Sequence, residues 1–226
     1  MTAVVEPQTM ARLAYAPCTT KFQLQGKATG TQIPFKFDTI DGNRPKSNAN
    51  TVFLWQTSDL RIPSTAPLFS MPVKKDEPKG SDVFQPVSLE RKPYLMGYGV
   101  GPEVKNICSL LLFNEQGEEQ KHFFADLSIK EVGTDSVTFK YFMPAGTKGV
   151  TDRDWFGLWE TDSPADLYSS RPVATGYPSG NLHEGDGALF HGLIRDRKYT
   201  IGYFKGGYQD GNPKQTTLAC TETFTA

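Results

Sequence analysis

The sequence lacks the features that send a chain into or across a membrane. It has no apolar run near the roughly 20 residues that a membrane span needs, and residues 1–17 lack the basic start and apolar core of a secretory signal. Its 24 basic and 25 acidic residues nearly cancel, so no overall field attracts nucleic acid or anionic lipid. We therefore expect a cytoplasmic protein with no membrane span and no nucleic-acid partner.

Cysteine is scarce. The chain has 3 cysteines, Cys18, Cys108 and Cys220, an odd number that cannot all pair within one chain. A free cysteine often behaves as a small buried apolar residue. We predict three buried thiols and no disulfide.

Helical periodicity and local catalytic motifs are also missing. Nowhere do apolar residues recur at i, i+3, i+4 and i+7 over a dozen positions, so we expect little helix. There is no Gly-x-Ser-x-Gly motif, and no glycine-rich phosphate loop precedes a helix. We assign no cofactor and lean away from an enzyme, although catalytic groups can also assemble from distant residues.

The chain does contain a long internal repeat. A strand-like, aromatic-rich segment occurs twice, ending at Trp55 and Trp159, which are 104 residues apart. The other matching places are residues 35–37 with 139–141 at a spacing of 104, residues 94–98 with 199–203 at 105, and Cys108 with Cys220 at 112. Two copies of one domain explain these spacings, with small loop insertions between them.

Each copy is predicted to be a β-sandwich. Short apolar runs are separated by turns, in keeping with 21 Gly and 16 Pro in the chain. Seven or so short strands per copy favour an all-β fold of two tandem immunoglobulin-like antiparallel sandwiches. We place an N-terminal arm at 1–17, domain 1 at 18–116 and domain 2 at 121–226. Residues 71–82 and 163–186 are predicted to be loops.

The second copy resembles the SKICH domain, itself an immunoglobulin-like sandwich. The matching residues are Phe139 to Phe142, Asp154 to Trp159, Lys198 to Tyr203, and Leu218 to Phe224. The resemblance covers most of the second copy and, more weakly, the first. It implies an interaction and targeting module rather than a catalyst, and no binding motif of that family maps onto residues here.

One polar cluster suggests chemistry. His183, Glu184, Asp186 and His191 lie within nine residues, and imidazole and carboxylate groups serve as acid/base pairs or metal ligands. Their spacing matches no closed metal template such as His-Glu-x-x-His, and Gly, Asn and Asp within residues 180–187 already explain the segment as turns, which we favour. We therefore assign no metal and keep these four residues as catalytic candidates for an alternative function only.

Aromatic residues suggest a different site. Tyr168, Tyr177 and Tyr208 lie in Gly- and Pro-rich loops, and with Trp155 they could line a cleft beside the long loops of the second copy. Rigid aromatic surfaces of this kind hold sugars, peptides or hydrophobic small molecules. We predict these four residues as ligand-binding.

Two functions remain open at this point. In the first, loops or sheet edges of the two sandwiches hold a protein or carbohydrate partner. In the second, an enzyme acts on a hydrophobic small molecule in a pocket between the domains or under residues 163–187. Open sheet edges also allow a homodimer, against which Lys36 and Lys140 are candidate guards.

Overall fold

The protein is built almost entirely from antiparallel strands. The computed structural model describes residues 18–85 and 88–226, and the arm predicted at 1–17 lies outside them. In this part of the chain the one α-helix is α1 (Gly149–Asp152), and 3-10 turns lie at Val104–Asn106, Pro164–Tyr168 and Gln215–Thr217. No helix in these residues is long and apolar enough to span a membrane. The all-β prediction is confirmed.

The first sandwich consists of a three-stranded and a five-stranded sheet. The small sheet has the order β2-β3-β6 and the large one β5-β4-β7-β8-β9. Their bounds are β2 (Lys21–Leu24), β3 (Ile33–Asp38), β4 (Thr51–Trp55), β5 (Phe69–Pro72), β6 (Lys79–Phe84), β7 (Tyr94–Gly99), β8 (Ile107–Phe113) and β9 (Glu119–Phe124).

The second sandwich repeats this plan. Its sheets have the orders β10-β11-β14 and β13-β12-β15-β16-β1. The bounds are β10 (Asp126–Val132), β11 (Ser136–Phe142), β12 (Trp155–Trp159), β13 (Ala174–Gly176), β14 (Glu184–Phe190), β15 (Lys198–Phe204), β16 (Leu218–Thr225) and β1 (Cys18–Thr19). The internal duplication is therefore visible in the topology.

The strand register corrects one detail of the repeat. Tyr98 lies opposite Ser109, whereas the corresponding Tyr203 lies opposite Cys220. Cys220 therefore corresponds to Ser109 and not to Cys108 as predicted, because the spacing in the last strand is 111. Cys18 also differs from its prediction, since it lies exposed on an edge strand while the other two thiols are buried.

The two sandwiches exchange edge strands. The short strand β1, which directly precedes the first sandwich in the chain, pairs with β16 of the second. In the same way β9, which precedes the second sandwich, pairs with β8 of the first. Each sheet is thus completed by residues that lead into the other sandwich, which ties the halves together through backbone hydrogen bonds.

Both faces of the large sheets are covered. The inner faces pack into one core, where the Phe139 ring meets the edge-on ring of Phe156 at 4.9 Å between centroids. Separate apolar clusters around Trp55 and Trp155 cover the outer faces. This double cover explains why β4 and β12 are buried at every position and, apart from Thr51, contain no polar side chain.

Two predicted loops contain strands. Residues 71–82 include the end of β5 and most of β6, and residues 163–186 include β13 and the start of β14. In β6 and β14 exposed residues alternate with half-buried or buried ones along most of the strand, as expected at sheet edges where one face meets water. Composition alone did not separate such edge strands from loops.

Candidate ligand-binding groove

The acidic members of the predicted polar cluster lie on a strand and not in a loop. Glu184 and Asp186 alternate along β14 and are exposed. Asp186 Oδ2 lies 3.1 Å from Lys130 Nζ, and Glu184 Oε2 lies 4.0 Å from Lys140 Nζ. Both carboxylates are therefore engaged in surface ion pairs.

The two histidines lie near opposite ends of the same strand. His183 is exposed and its carbonyl accepts a hydrogen bond of 2.6 Å from Met143 N. The His191 ring lies beside the Tyr199 ring with centroids 6.5 Å apart. Across residues 18–85 and 88–226, no three His, Cys, Asp or Glu side chains converge in a way that could hold a metal ion.

The structure brings together two of the four predicted aromatic residues. The Tyr177 and Tyr208 rings lie 5.2 Å apart at the surface. Trp155 is fully buried, because its indole stacks on Phe204 at 4.0 Å, so its predicted contact with a ligand is wrong. Tyr168 is only partly exposed, because it packs against the backbone of Gly42 in the first sandwich.

A groove of about 500 Å³ lies beside Tyr208. One wall is the segment that ends in β13 and the other is the loop between β15 and β16. The lining residues are Ser169, Arg171, Pro172, Val173, Ala174, Thr175, Tyr208, Gln209, Gly211, Asn212, Pro213 and Gln215. We call this space with the adjacent Tyr177 the tyrosine groove. It combines an aromatic surface with amide and guanidinium donors, as ligand sites commonly do.

Two side chains, the half-buried Gln215 and the buried Trp155, hold the two walls in place. Gln215 Nε2 donates to the carbonyls of Leu167 at 2.5 Å and Ser170 at 2.7 Å, which joins one wall to the other. Below the groove, Trp155 Nε1 donates to Lys214 O at 3.3 Å. Trp155 therefore supports the groove from the core and does not line it.

A buried ion pair, which the sequence analysis missed, fixes the base of the loop that carries Tyr208. The Asp154 carboxylate accepts hydrogen bonds from Lys205 Nζ at 2.6 Å, Tyr203 OH at 3.1 Å and Gly206 N at 2.7 Å. The Asp154 and Lys205 side chains are both 0% exposed. Burial raises the pKa of Asp154, and the neighbouring Lys205 opposes this shift. A signal was present, since one charged residue directly precedes β12 and the other directly follows β15.

The first sandwich contributes to the same network. Asn106 Nδ2 donates to the carbonyl of Lys205 at 2.6 Å, over a sequence separation of 99 residues. On the other side of the loop, Tyr208 N donates to Arg153 O at 3.0 Å, and its hydroxyl donates to Asp210 Oδ1 at 2.8 Å. The Asp210 carboxylate raises the pKa of Tyr208 by accepting this hydrogen bond.

A second cleft lies where the sandwiches meet. Its volume is about 430 Å³, and it is lined by Thr57, Asp59, Arg61, Ile62, Pro63, Ser64, Thr65, Val104, Lys105, Gly146, Thr147, Lys148 and Asp152. Space is thus present both between the sandwiches and beside residues 163–187. The catalytic candidates, however, line neither cavity.

A scan against protein-family models and a search of curated proteins found no match. Among solved structures, the chain is similar to the FN1–FN3 domains of chicken CNTN1, at 12% identity and a TM-score of 0.28, over 93% of this chain and 66% of that one. It is also similar to a DUF3823 family protein from Bacteroides uniformis ATCC 8492, at 9% identity and a TM-score of 0.32, over 92% of this chain and 99% of that one. With scores this low, the fold assignment rests on the strand pairings described above.

Proposed function

We propose that the protein is a non-enzymatic, SKICH-like interaction module that holds a protein partner on one edge of its second sandwich. This edge, which we call the partner edge, consists of β13, β14 and the connection between them. The tyrosine groove adjoins it, since Tyr177 directly follows β13.

One observation carries this proposal. The described residues include nine large hydrophobic side chains that are exposed, and four of them fall within residues 173–190. These four are Val173 at 41% exposure, Tyr177 at 62%, Leu182 at 69% and Phe190 at 76%. Scattered apolar residues are normal on protein surfaces, but a concentration along one edge is typical of a protein-binding site.

The placement of the acidic and imidazole groups supports binding over catalysis. A general base must reach its substrate within hydrogen-bond distance, and catalytic groups need to converge on one point. Glu184 and Asp186 instead point outward beside two lysines, and the histidines lie at the two ends of β14.

The test is capture of a partner from cells that make the protein, with the full chain as bait. The double variant Tyr177→Ser/Leu182→Ser should lose a partner that the parent chain retains in stoichiometric amount. The matched control is Leu68→Ser/Phe69→Ser, because these two exposed residues occupy the corresponding edge of the first sandwich, at the start of β5. Circular dichroism must show that both variants keep the fold.

Three results would argue against the proposal. Equal capture by both double variants would place the binding surface elsewhere. Failure to capture any protein, combined with binding to a glycan array that requires Tyr177, would point to a carbohydrate ligand. Turnover of a small molecule that is lost in His183→Ala would favour the enzyme.

A further inference from the structure

Among the residues that the structure describes, the strand β14 pairs with another strand on one side only, and we call the other its open side. It is the last strand of its sheet and pairs with β11 from Ser136 opposite Phe190 to Phe142 opposite Glu184. Backbone bonds from Met143 N to His183 O at 2.6 Å and from His191 N to Asp135 O at 2.9 Å show that the odd-numbered residues face β11. Because bonding alternates along an antiparallel ladder, the backbone groups of Glu184, Asp186, Ala188 and Phe190 point away from it.

In the corresponding strand of the first sandwich, β6, a side chain occupies a backbone N–H that would otherwise be free to pair with another strand. In β6 a bond from Thr39 N to Pro78 O shows that the odd-numbered residues, including Val83, face the open side. There the N–H of Val83 donates to Asp82 Oδ1 at 2.8 Å. An edge whose donors are occupied by its own carboxylates resists pairing with another strand.

This protection is missing from β14. Asp82 lies opposite Phe35 in the first sandwich, and Gly187 lies opposite Phe139 in the second. Phe35 and Phe139 are equivalent in the 104-residue repeat, so Gly187 occupies the position of Asp82. A β-carbon at Gly187 would overlap the Phe139 ring, which explains why no capping side chain is present there. The N–H of Ala188, unlike that of Val83, is therefore not capped by the preceding residue.

The side chains along this edge define the chemistry of a partner. Two carboxylates, Glu184 and Asp186, stand on the outer face, and Phe190 stands at the far end with 76% of its surface exposed. In neighbouring strands, opposite charges and apolar pairs stabilise the pairing, and like charges oppose it. The ion pairs of the two carboxylates with Lys130 and Lys140 lie at the exposed surface, where such pairs are weak. Two copies of β14 paired with each other would therefore still bring four carboxylates into adjacent strands, so charge disfavours a second copy of this chain.

We propose that β14 accepts an extended segment of a different protein as an added strand, with basic residues beside Glu184 and Asp186 and an apolar residue beside Phe190. This inference rests on the proposed function and specifies its binding mode. Backbone hydrogen bonds supply affinity and the alternating side chains supply specificity, as in other cases of strand addition.

The decisive variant is Ala188→Pro. It removes an N–H that points to the open side and leaves every bond to β11 in place, and proline is tolerated in edge strands for that reason. Val83→Pro is the matched control at the corresponding position of β6. Asp186→Lys is a second variant that leaves the backbone unchanged, and it keeps the proposal testable if Ala188→Pro fails to fold.

The experiment is selection of a displayed random octapeptide library on the immobilised full-length protein, followed by sequencing and titration of single peptides. Enriched peptides should carry two basic residues separated by one position, and an apolar residue four positions beyond the nearer of them, because Glu184, Asp186 and Phe190 share one face of β14. Their affinity should fall at least tenfold on Ala188→Pro and stay unchanged on Val83→Pro. On Asp186→Lys the selection should shift from basic to acidic residues.

Other outcomes would overturn the inference. If no sequence is enriched over the starting pool, or if enriched peptides bind Ala188→Pro as well as the parent, strand addition to β14 is wrong. If such peptides bind Ala188→Pro normally but fail to bind Tyr177→Ser/Leu182→Ser, the proposed function is still supported, but the partner binds by a mode other than strand addition. If the parent chain sediments as a dimer and the Ala188→Pro variant sediments as a monomer, the strand added to β14 comes from a second copy of this chain.

Discussion

Replacing Lys205 by Met tests the buried network that holds the tyrosine groove. The substitution keeps an unbranched side chain of similar length and removes the ammonium, which leaves the Asp154 carboxylate with only Tyr203 OH and Gly206 N as donors. Removal of one partner from a buried ion pair typically costs about 3 to 5 kcal/mol, because an uncompensated charge remains in the interior. For a chain of this size, such a loss lowers Tm by about 6 to 20 °C.

The assay is urea unfolding at 25 °C, followed by circular dichroism, of Lys205→Met, Asp154→Asn and the double variant. Because the second substitution removes the charge that the first left unpaired, the double variant should lose less stability than the sum of the two single variants. Lys92→Met is the control, since Lys92 Nζ lies at the same 2.6 Å from Glu90 but both side chains are more than half exposed. Surface pairs contribute little to stability, so this variant should unfold like the parent.

Equal effects of Lys205→Met and Lys92→Met would refute the reasoning, because burial and not distance is expected to decide the cost. Additive single effects would also refute it, since the two charges would then not interact. If the network positions Tyr208, the resonances of residues 206–214 should shift in Lys205→Met and stay in place in Lys92→Met.

Three further predictions follow from burial and local hydrogen bonds. Trp155→Ala should cost about 3 to 5 kcal/mol in chemical unfolding, since it empties a fully buried site, and a loss below about 1 kcal/mol would contradict that burial. A maleimide should label Cys18 alone in the folded protein and three thiols after unfolding, because burial raises the pKa of Cys108 to about 12, and fast labelling of a second thiol would contradict the core packing. The Tyr208 phenol should titrate above its ordinary pKa of 10.0 in an NMR titration, and Asp210→Asn should reverse the shift. The folded state favours the neutral phenol, so this hydrogen bond stabilises the protein fully below pH 10.0, and the contribution is lost as the pH rises through the raised pKa. An unchanged titration of Tyr208 in Asp210→Asn would contradict the bond.

The sequence by itself determined the fold class and the duplication. Alternation of apolar residues in short runs requires strands, and the 104-residue spacing of Trp55 and Trp159 requires two equivalent units. The alternation of apolar residues and the repeat spacing are local or periodic features, so both can be recognised without knowledge of the tertiary structure. Strands at the sheet edges escaped this reasoning, because β6 and β13 face water on one side and resemble loops in composition.

Only the tertiary structure showed which of the candidate site residues lie at the surface. Trp155 and Tyr208 were both predicted to bind a ligand, and the structure stacks Trp155 on Phe204 in the core while Tyr208 lies beside Tyr177 at the surface. The charged residues beside β12 and β15 were visible in the sequence, but only the pairing of these strands brings Asp154 to Lys205, 51 residues away, and only the tertiary structure places β1 in the second sandwich. Contacts between distant residues depend on how the sheets pair and pack, and no local pattern in the chain records that pairing.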